Sequence, residues 1–330
     1  MKSGCLLEGF ISTESTFMPG WKATLFGKFN LEHETKTISG IEPRQVRELL
    51  SYLLLFRNHP QPRDALSEAL WDNRSSARTR KCLRQTLWRL QVALRMYGIS
   101  AGPDLLIDNA WIQLNLPADF WLDIAEFEKV FDLIKGKNAQ ALSTRDHQLM
   151  QYAVDIYKGD LLEGCYQDWC AFERERFQIM YLLLLDKLVQ YCELHQKYED
   201  GLAYGMKILS HDHAYERTHR QLMRLYVMTG NRTQALHQYE RCVIALRDEL
   251  DVEPSEVTKQ LYAQIRFDTF KPSLLAGEKV ISKARVTIAP TPKLKDVMNQ
   301  LEQVSEVLGR LEHQIQEEVL TLGGAVADQS

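Results

Sequence analysis

Residues 74–95 read RSSARTRKCLRQTLWRLQVALR and carry seven Lys or Arg but no Asp or Glu. Apolar residues recur in this stretch at steps of three and four, which is the spacing of one face of an α-helix. Those residues are Leu83, Leu87, Leu90 and Leu94. The spacing predicts a helix near 75–97 that buries this leucine stripe and ends at Gly98.

The opposite face of this helix is basic. At about 100° per residue, it carries Arg78, Lys81, Gln85 and Trp88, with Arg84 and Arg89 beside them. A solvated basic face would explain such a run, but the complete lack of acid favours contact with DNA. Lys and Arg neutralise phosphates, and Arg or Gln can read base edges in the major groove. For Trp88 the sequence leaves two roles open, covering a sugar or packing under a neighbouring hairpin.

The elements around this helix predict a winged helix-turn-helix. Residues 22–41 alternate apolar and polar side chains around Gly and Asn, which indicates short antiparallel strands. Pro43 opens a first helix, and DALSEALW forms a short second one. After the basic helix, LLIDNAWIQLN predicts a hairpin around the turn at Asp108-Asn109. Strands, three helices and a closing hairpin, in this order, are the elements of a winged helix-turn-helix.

Charge is distributed unevenly along the 330 residues, whose formal net charge is −4. Residues 22–118 hold fourteen Lys or Arg and nine Asp or Glu, a net +5, whereas residues 119–330 hold twenty-five and thirty-three, a net −8. Only the first part is therefore expected to meet a polyanion.

Beyond residue 121 the sequence is almost entirely helical in spacing, with a repeat of 34 residues. Gly201-Leu202 corresponds to Ala235-Leu236, Gly205 to Tyr239, Ile208 to Cys242, and Leu188 to Leu222. A helix–turn–helix period of 34 is that of tetratricopeptide repeats, and small residues let paired helices approach. An ordinary helical bundle is the alternative. Repeats of this kind expose a concave surface suited to protein partners.

Several motifs between residues 22 and 266 resemble bacterial regulators of the SARP/BTAD type, which join an OmpR-like winged helix to a bacterial transcriptional activation domain. The resemblance is carried by HPQPRDALSEALW, ARTRKCLRQTLWRLQVAL and DIAEFE, and by ALRDELDVEPSEVTKQLYAQI near the end. It is also carried by YKGDLLEGCYQDWCAFERERF, in which the positions that match are Tyr157, Gly159, Leu162, Trp169, Glu173 and Arg176. Residues 1–20, Trp88 and the chain beyond 270 depart from the pattern. The resemblance implies binding to promoter direct repeats and recruitment of RNA polymerase.

A second apolar repeat comes after a Pro-containing linker. Leu294, Val297, Leu301, Val304, Leu308, Leu311 and Ile315 alternate steps of three and four. This heptad seam predicts coiled-coil oligomerisation, with a homodimer as the expected state. A single amphipathic helix folded against the rest of the chain is the alternative, because the flanking positions carry little charge.

No catalytic or metal site is expected. GxGxxG, Walker, GxSxG and HExxH motifs are missing from the sequence, so we expect neither an enzyme nor a cofactor. His211, His213 and His219 lie close together but without completing ligands. Four residues separate Cys165 from Cys170, a spacing that suits neither zinc nor redox chemistry of the CxxC kind. No membrane span or secretory signal is predicted, and six irregularly spaced Cys indicate reduced thiols and a cytoplasmic location.

The sequence as a whole predicts a mainly α protein with an N-terminal winged helix (α+β), a TPR-like helical domain and a C-terminal coiled-coil-like helix. The expected segments are an extension at 1–21, the winged helix at 22–118, the activation domain at 119–266, a linker at 267–293, the coiled-coil helix at 294–320 and a disordered tail at 321–330. The predicted function is sequence-specific DNA binding that activates transcription, with double-stranded DNA and RNA polymerase as partners. The alternative is a helical-repeat scaffold whose winged helix binds protein. The sequence leaves open whether an effector ligand occupies the repeat domain.

Overall fold

The computed structural model describes residues 20–71, 76–95 and 103–270 of the chain. These residues fall within one compact unit that ends at Pro272. The predicted N-terminal extension up to residue 19, the linker beyond residue 270, the heptad seam and the tail lie outside the described residues.

The N-terminal part has the predicted alternation of strands and helices. In chain order, its elements are β1 (Trp21–Thr24), β2 (Asn30–His33), β3 (Lys36–Thr37), α1 (Arg44–Leu55), β4 (Gln61–Pro62), α2 (Arg63–Leu70), α3 (Ser76–Arg95), β5 (Asp104–Ile107), β6 (Trp111–Asn115) and β7 (Phe120–Leu122). The strands form one sheet in the order β3-β2-β1-β7 and a second in the order β4-β6-β5. The winged helix predicted from the sequence is confirmed.

The wing is the hairpin of β5 and β6, in which Ile107 pairs with Ile112. Its turn falls at the predicted position. The Asp108 carboxylate accepts hydrogen bonds from the backbone N–H groups of Ala110 and Trp111, at 2.7 and 2.6 Å. These bonds lower the pKa of Asp108. A charged carboxylate therefore closes the turn.

Strand β7 connects the winged helix to the helical domain. It pairs in parallel with β1, placing Trp21 opposite Phe120 and Ala23 opposite Leu122. The strand lies beyond residue 118, where the sequence predicted the winged helix to end. The segment that leads into the helical domain thus supplies the last strand of the N-terminal sheet.

The remaining described residues are mostly helical. The elements are α4 (Asp123–Ile134), a 3-10 turn (Ala139–Ala141), α5 (Thr144–Ile156), α6 (Asp168–Leu194), α7 (Tyr198–His211), α8 (Glu216–Met228), α9 (Arg232–Leu250) and α10 (Glu256–Arg266). From α6 to α9, each helix packs against the next one along the chain. None of the helices in the described residues is both long and apolar enough to cross a bilayer.

Small residues lie where the paired helices cross, as the 34-residue repeat predicts. A Cβ on Gly205 would stand 2.6 Å from Cδ2 of Leu222, and one on Gly201 would stand 3.1 Å from Cβ of Cys192. Both distances are too short for ordinary packing. The equivalent position to Gly201 in the second copy is Ala235, which is fully buried. The repeat therefore has a physical cause, the close approach of α7 to its neighbours.

Candidate nucleic-acid interface

Helix α3 has one buried and one exposed face, as the sequence predicts. All four residues of the leucine stripe are buried against α1, α2 and the wing: Leu83, Leu87, Leu90 and Leu94. The six candidate DNA-contacting residues are all exposed: Arg78, Lys81, Arg84, Gln85, Trp88 and Arg89. The third helix of the winged helix thus presents a face on which every one of these side chains is a hydrogen-bond donor and none is an acid.

Trp88 belongs to this exposed face. Its side chain is 64% exposed, so it does not pack under the wing. This exposure contradicts packing under the wing, and contact with a DNA sugar stays a prediction. An exposed indole beside arginines suits a sugar or a base as well as a protein surface.

A cleft lies between the basic helix and the wing. It is lined by residues of α2, α3 and the β5–β6 turn, among them Arg63, Arg80, Arg84, Asn109 and Trp111. Arg63 begins α2, and its guanidinium donates to the backbone oxygen of Asp108 at 3.0 Å. Neither Arg63 nor Trp111 is predicted from the sequence, because neither lies within the basic run. Only folding brings them beside Arg84.

The winged helix and the helical domain are joined by a network of ion pairs. Glu128 of α4 accepts a hydrogen bond from Arg57, just after α1, at 2.7 Å and another from Arg176 of α6 at 2.8 Å. Arg176 also donates to Glu173 at 2.6 Å. All four side chains are partly buried, so the charges are screened by solvent less than surface pairs are. This network fixes the orientation of α1 relative to α4 and α6.

Asp123 makes the second connection between the two parts. It is 1% exposed, and one carboxylate oxygen accepts hydrogen bonds from the backbone N–H groups of Leu25 and Phe26, at 2.7 and 2.8 Å. Its other oxygen accepts from the N–H of Ile124 at 2.7 Å. Burial raises the pKa of Asp123 to about 6, although these three donors and Lys22 oppose the shift. The first helix of the helical domain is thus bound through its first residue to the end of β1.

Residues of the YKGDLLEG…ERERF motif line the same junction. The Tyr157 ring lies 4.6 Å from that of Phe26 and stacks on Tyr181 at 4.2 Å. The N–H of Leu162 donates to the oxygen of Leu25 at 2.8 Å, with Leu162 itself at a φ of 51°. Trp169 packs edge-to-face against Tyr52 of α1 at 5.2 Å. The motif therefore has a structural explanation, because its side chains hold the winged helix on the helical domain.

The histidines that the sequence places together have separate structural contacts. His219 is buried between the backbone oxygen of His213 and the side chain of Gln238, each 2.8 Å away. Burial lowers the pKa of His219, which favours the neutral ring. His211 lies 3.5 Å from Gln178. Within the described residues, no group of three or more His, Cys, Asp or Glu is arranged to hold a metal ion.

Comparison with known proteins identifies the helical part. Residues 122–266 match the family described as "BTAD: Bacterial transcriptional activator domain". The matched region begins at the last residue of β7 and ends with α10. It therefore covers the whole helical domain seen in the structure.

Two curated proteins and one solved structure extend the similarity over the winged helix. The chain is 26% identical over 237 residues to the transcriptional regulatory protein MoaR1 of Mycobacterium tuberculosis, covering 68% of this chain and 72% of that protein. It is 25% identical over 234 residues to MoaR1 of Mycobacterium bovis, with the same coverage. Its fold resembles that of Mycobacterium tuberculosis EmbR, solved in complex with a low-affinity phosphopeptide. The TM-score is 0.66, the identity 17%, and the match covers 77% of this chain and 67% of EmbR.

These matches agree with the motifs and with the fold, and the two curated relatives are transcriptional regulatory proteins, not enzymes. Residues 122–266 thus match a bacterial transcriptional activator domain, which follows a winged helix in this structure, and the chain is similar to transcriptional regulatory proteins.

Proposed function

We propose that the protein binds specific DNA sequences through α3 and activates transcription from the promoters it occupies. The observation that carries the proposal is the exposed, acid-free basic face of α3 opposite its buried leucine stripe. A helix with this pair of faces can enter the major groove while its apolar side stays in the core.

The exposed residues of α3 would have different roles in such a complex. Arg78, Lys81 and Gln85 lie in the N-terminal half of the face, where a recognition helix meets base edges. Arg84 and Arg89 lie at its sides, where phosphates pass. Arg63 and the wing turn line the same cleft as Arg84. In the proposed complex, a DNA phosphate would enter this cleft and contact both Arg63 and Arg84. Trp88 would contact a sugar between these positions.

Binding of single variants to cognate and scrambled duplexes at several salt concentrations tests these roles. Alanine at a base-reading position, such as Gln85, should cost about 1–3 kcal/mol of binding free energy and relax the preference at particular base pairs. Alanine at Arg84 should weaken binding to all sequences alike and reduce the steepness of the salt dependence.

Arg95 supplies the matched control. It is an exposed arginine with the same charge on the same helix, but it is the last residue of α3, about three turns beyond Arg84. Arg95→Ala should bind DNA nearly as the unmodified protein does. If Lys81→Ala and Arg84→Ala also bind normally, the basic face is only solvated. That result would favour the alternative function, a helical-repeat scaffold whose winged helix binds protein.

Activation requires a second contact, for which we propose RNA polymerase as the partner and the acidic helical domain as the surface. The family match and the net charge of −8 over residues 119–330 support this assignment. The proposal also includes promoter direct repeats as operators, a homodimer, and a cytoplasmic location beside the chromosome. Selection from a random duplex pool should return direct repeats. Transcription reconstituted with purified polymerase on such a template should rise on adding the protein, whereas a fall would identify a repressor.

A further inference from the structure

The segment between α5 and α6 is bound to the winged helix by backbone hydrogen bonds. The N–H of Gly27 donates to the oxygen of Asp160 at 2.9 Å, and the N–H of Glu163 donates to the oxygen of Gly27 at 2.8 Å. Phe26 and Leu161 form an antiparallel bridge in the same place. This segment therefore pairs with the chain just after β1 as a short added strand would.

Leu162 has an unusual backbone conformation within this segment. Its φ of 51° lies in the left-handed region, which residues other than Gly, Asn and Asp adopt infrequently. Its side chain is buried, while its N–H donates to the oxygen of Leu25 at 2.8 Å. A conformation of this kind persists only where the surrounding structure holds it. The contact between Leu162 and Leu25 therefore depends on the groups that bind the segment from the helical domain.

Arg174 of α6 binds the segment through its backbone oxygens. Its Nε donates to the oxygen of Leu161 at 3.0 Å, and its Nη2 donates to the oxygens of Leu162 and Cys165, at 3.2 and 2.9 Å. Nη2 also lies 3.5 Å from Sγ of Cys170. A guanidinium is planar and its donors point in fixed directions, so it holds several oxygens in one geometry. The ammonium of a lysine is a point charge on a flexible chain and does not reproduce this arrangement.

Helix α6 connects this contact to the rest of the helical domain. Its 27 residues give a length of about 40 Å. Near its N-terminus, Trp169 packs on Tyr52 of the winged helix, and the helix also packs against α7 and α8. The orientation of the winged helix is thus set near one end of a helix that continues into the repeats.

We propose that Arg174 is the positioning residue that fixes the orientation of the winged helix on the helical domain, and that activation of transcription depends on this orientation. The inference rests on the proposed function, in which α3 binds DNA while the helical domain contacts polymerase. Two linked contacts reinforce each other only if the geometry allows both at once. Without Arg174, three backbone oxygens lose a charged donor, and the segment that bears Leu162 is held less firmly. DNA binding should persist, because β7 and Asp123 still support the winged helix.

The first test measures the orientation in the full chain. A donor and an acceptor dye are attached through unnatural amino acids at Glu68 of α2 and Ile244 of α9, which are both exposed. Time-resolved energy transfer then gives the distribution of distances between the two dyes. Arg174→Ala should broaden this distribution, and Arg174→Lys should give an intermediate width.

Arg232 supplies the matched control. Its guanidinium also donates to backbone oxygens, those of Ile265 and Arg266, but it does so at the end of α10. Arg232→Ala should therefore keep the narrow distribution of the unmodified protein. Circular dichroism checks that each variant is folded, and if Arg174→Ala is not folded, Arg174→Lys decides. A folded variant at Arg174 with an unchanged distance distribution overturns the proposal.

Binding and transcription assays separate this inference from the proposed function. On a duplex with a single binding site, Arg174→Ala should bind nearly as tightly as the unmodified protein, whereas activation in a reconstituted system should fall several-fold. Equal activation by the two proteins would overturn the role of Arg174 in activation. If the unmodified protein neither binds DNA nor activates, that role fails together with the proposed function. The distance distributions would still decide whether Arg174 fixes the orientation.

Discussion

Glu128 shows how single residues hold the two parts of the chain in one orientation. Its two carboxylate oxygens bind Arg57 after α1 and Arg176 of α6, which are separated by more than a hundred positions in sequence. Removing a partner from such a half-buried network leaves a charge without compensation, which costs more than the pair contributes when it is intact. Glu128 therefore matters more for the orientation of the winged helix than for net stability.

Asp123 gives a prediction at the same scale, because its pKa of about 6 lies above the value of about 3.9 for an unfolded chain. A raised pKa means that the folded state holds the proton more tightly. The resulting stabilisation is complete below about pH 4 and is lost as the pH rises through about 6. A shift of about two units corresponds to roughly 3 kcal/mol in the free energy of unfolding.

Asp123→Asn removes this titration. Between about pH 4 and 6.5, the free energy of unfolding of the variant should therefore fall less than that of the unmodified protein. Urea denaturation at several pH values measures the difference between the two. Exposed Asp119→Asn is the matched control and should follow the unmodified profile. Parallel profiles for all three proteins would show that Asp123 does not carry the pH dependence.

At the scale of one element, α3 combines a structural and a binding role on opposite faces. Leu87 is 3% exposed and belongs to the buried stripe, so Leu87→Ala should lower the free energy of unfolding by about 2–5 kcal/mol. Val92 lies on the same helix but is exposed. Val92→Ala should change stability by less than about 0.5 kcal/mol, in line with ordinary surface substitutions. Chemical denaturation checks both values, and a small effect at Leu87 would mean that the stripe is not a core face.

At the scale of the whole molecule, the junction predicts that the winged helix does not fold well alone. A fragment of residues 20–118 lacks β7 and Asp123, which leaves β1 without its parallel neighbour and two N–H groups without acceptors. We expect this fragment to melt without a cooperative transition, whereas residues 20–270 should melt cooperatively. Calorimetry measures how cooperative the melting transition of each fragment is. A fragment of 20–118 that melts sharply and binds DNA fully would show that the junction is dispensable.

Oligomerisation is the other prediction that concerns the whole chain. The heptad spacing of residues 294–315 predicts that truncation after Pro290 lowers the mass measured by light scattering. Replacing both Leu301 and Leu308 by Lys should have the same effect, because charges in the seam oppose association. An unchanged mass in both cases, or a monomeric full chain at tens of micromolar, would contradict it.

The sequence by itself determined the features that depend on local spacing. The faces of α3 arise from leucines at steps of three and four, the wing turn from Asp108-Asn109, and the α6–α9 pairs from small residues 34 positions apart. Each of these is encoded within a few turns or one repeat, so periodicity and turn chemistry are sufficient to predict it.

Only the tertiary structure decided which distant residues meet. The contacts of Asp123 with Leu25 and Phe26 span almost a hundred positions, and the pairing of β1 with β7 crosses the expected domain boundary. Arg63 reaches the wing, with its guanidinium on the oxygen of Asp108, because of turns that no local pattern specifies. Such contacts are selected by the packing of the whole chain around one core, since burial is non-directional and many pairings satisfy the same apolar pattern.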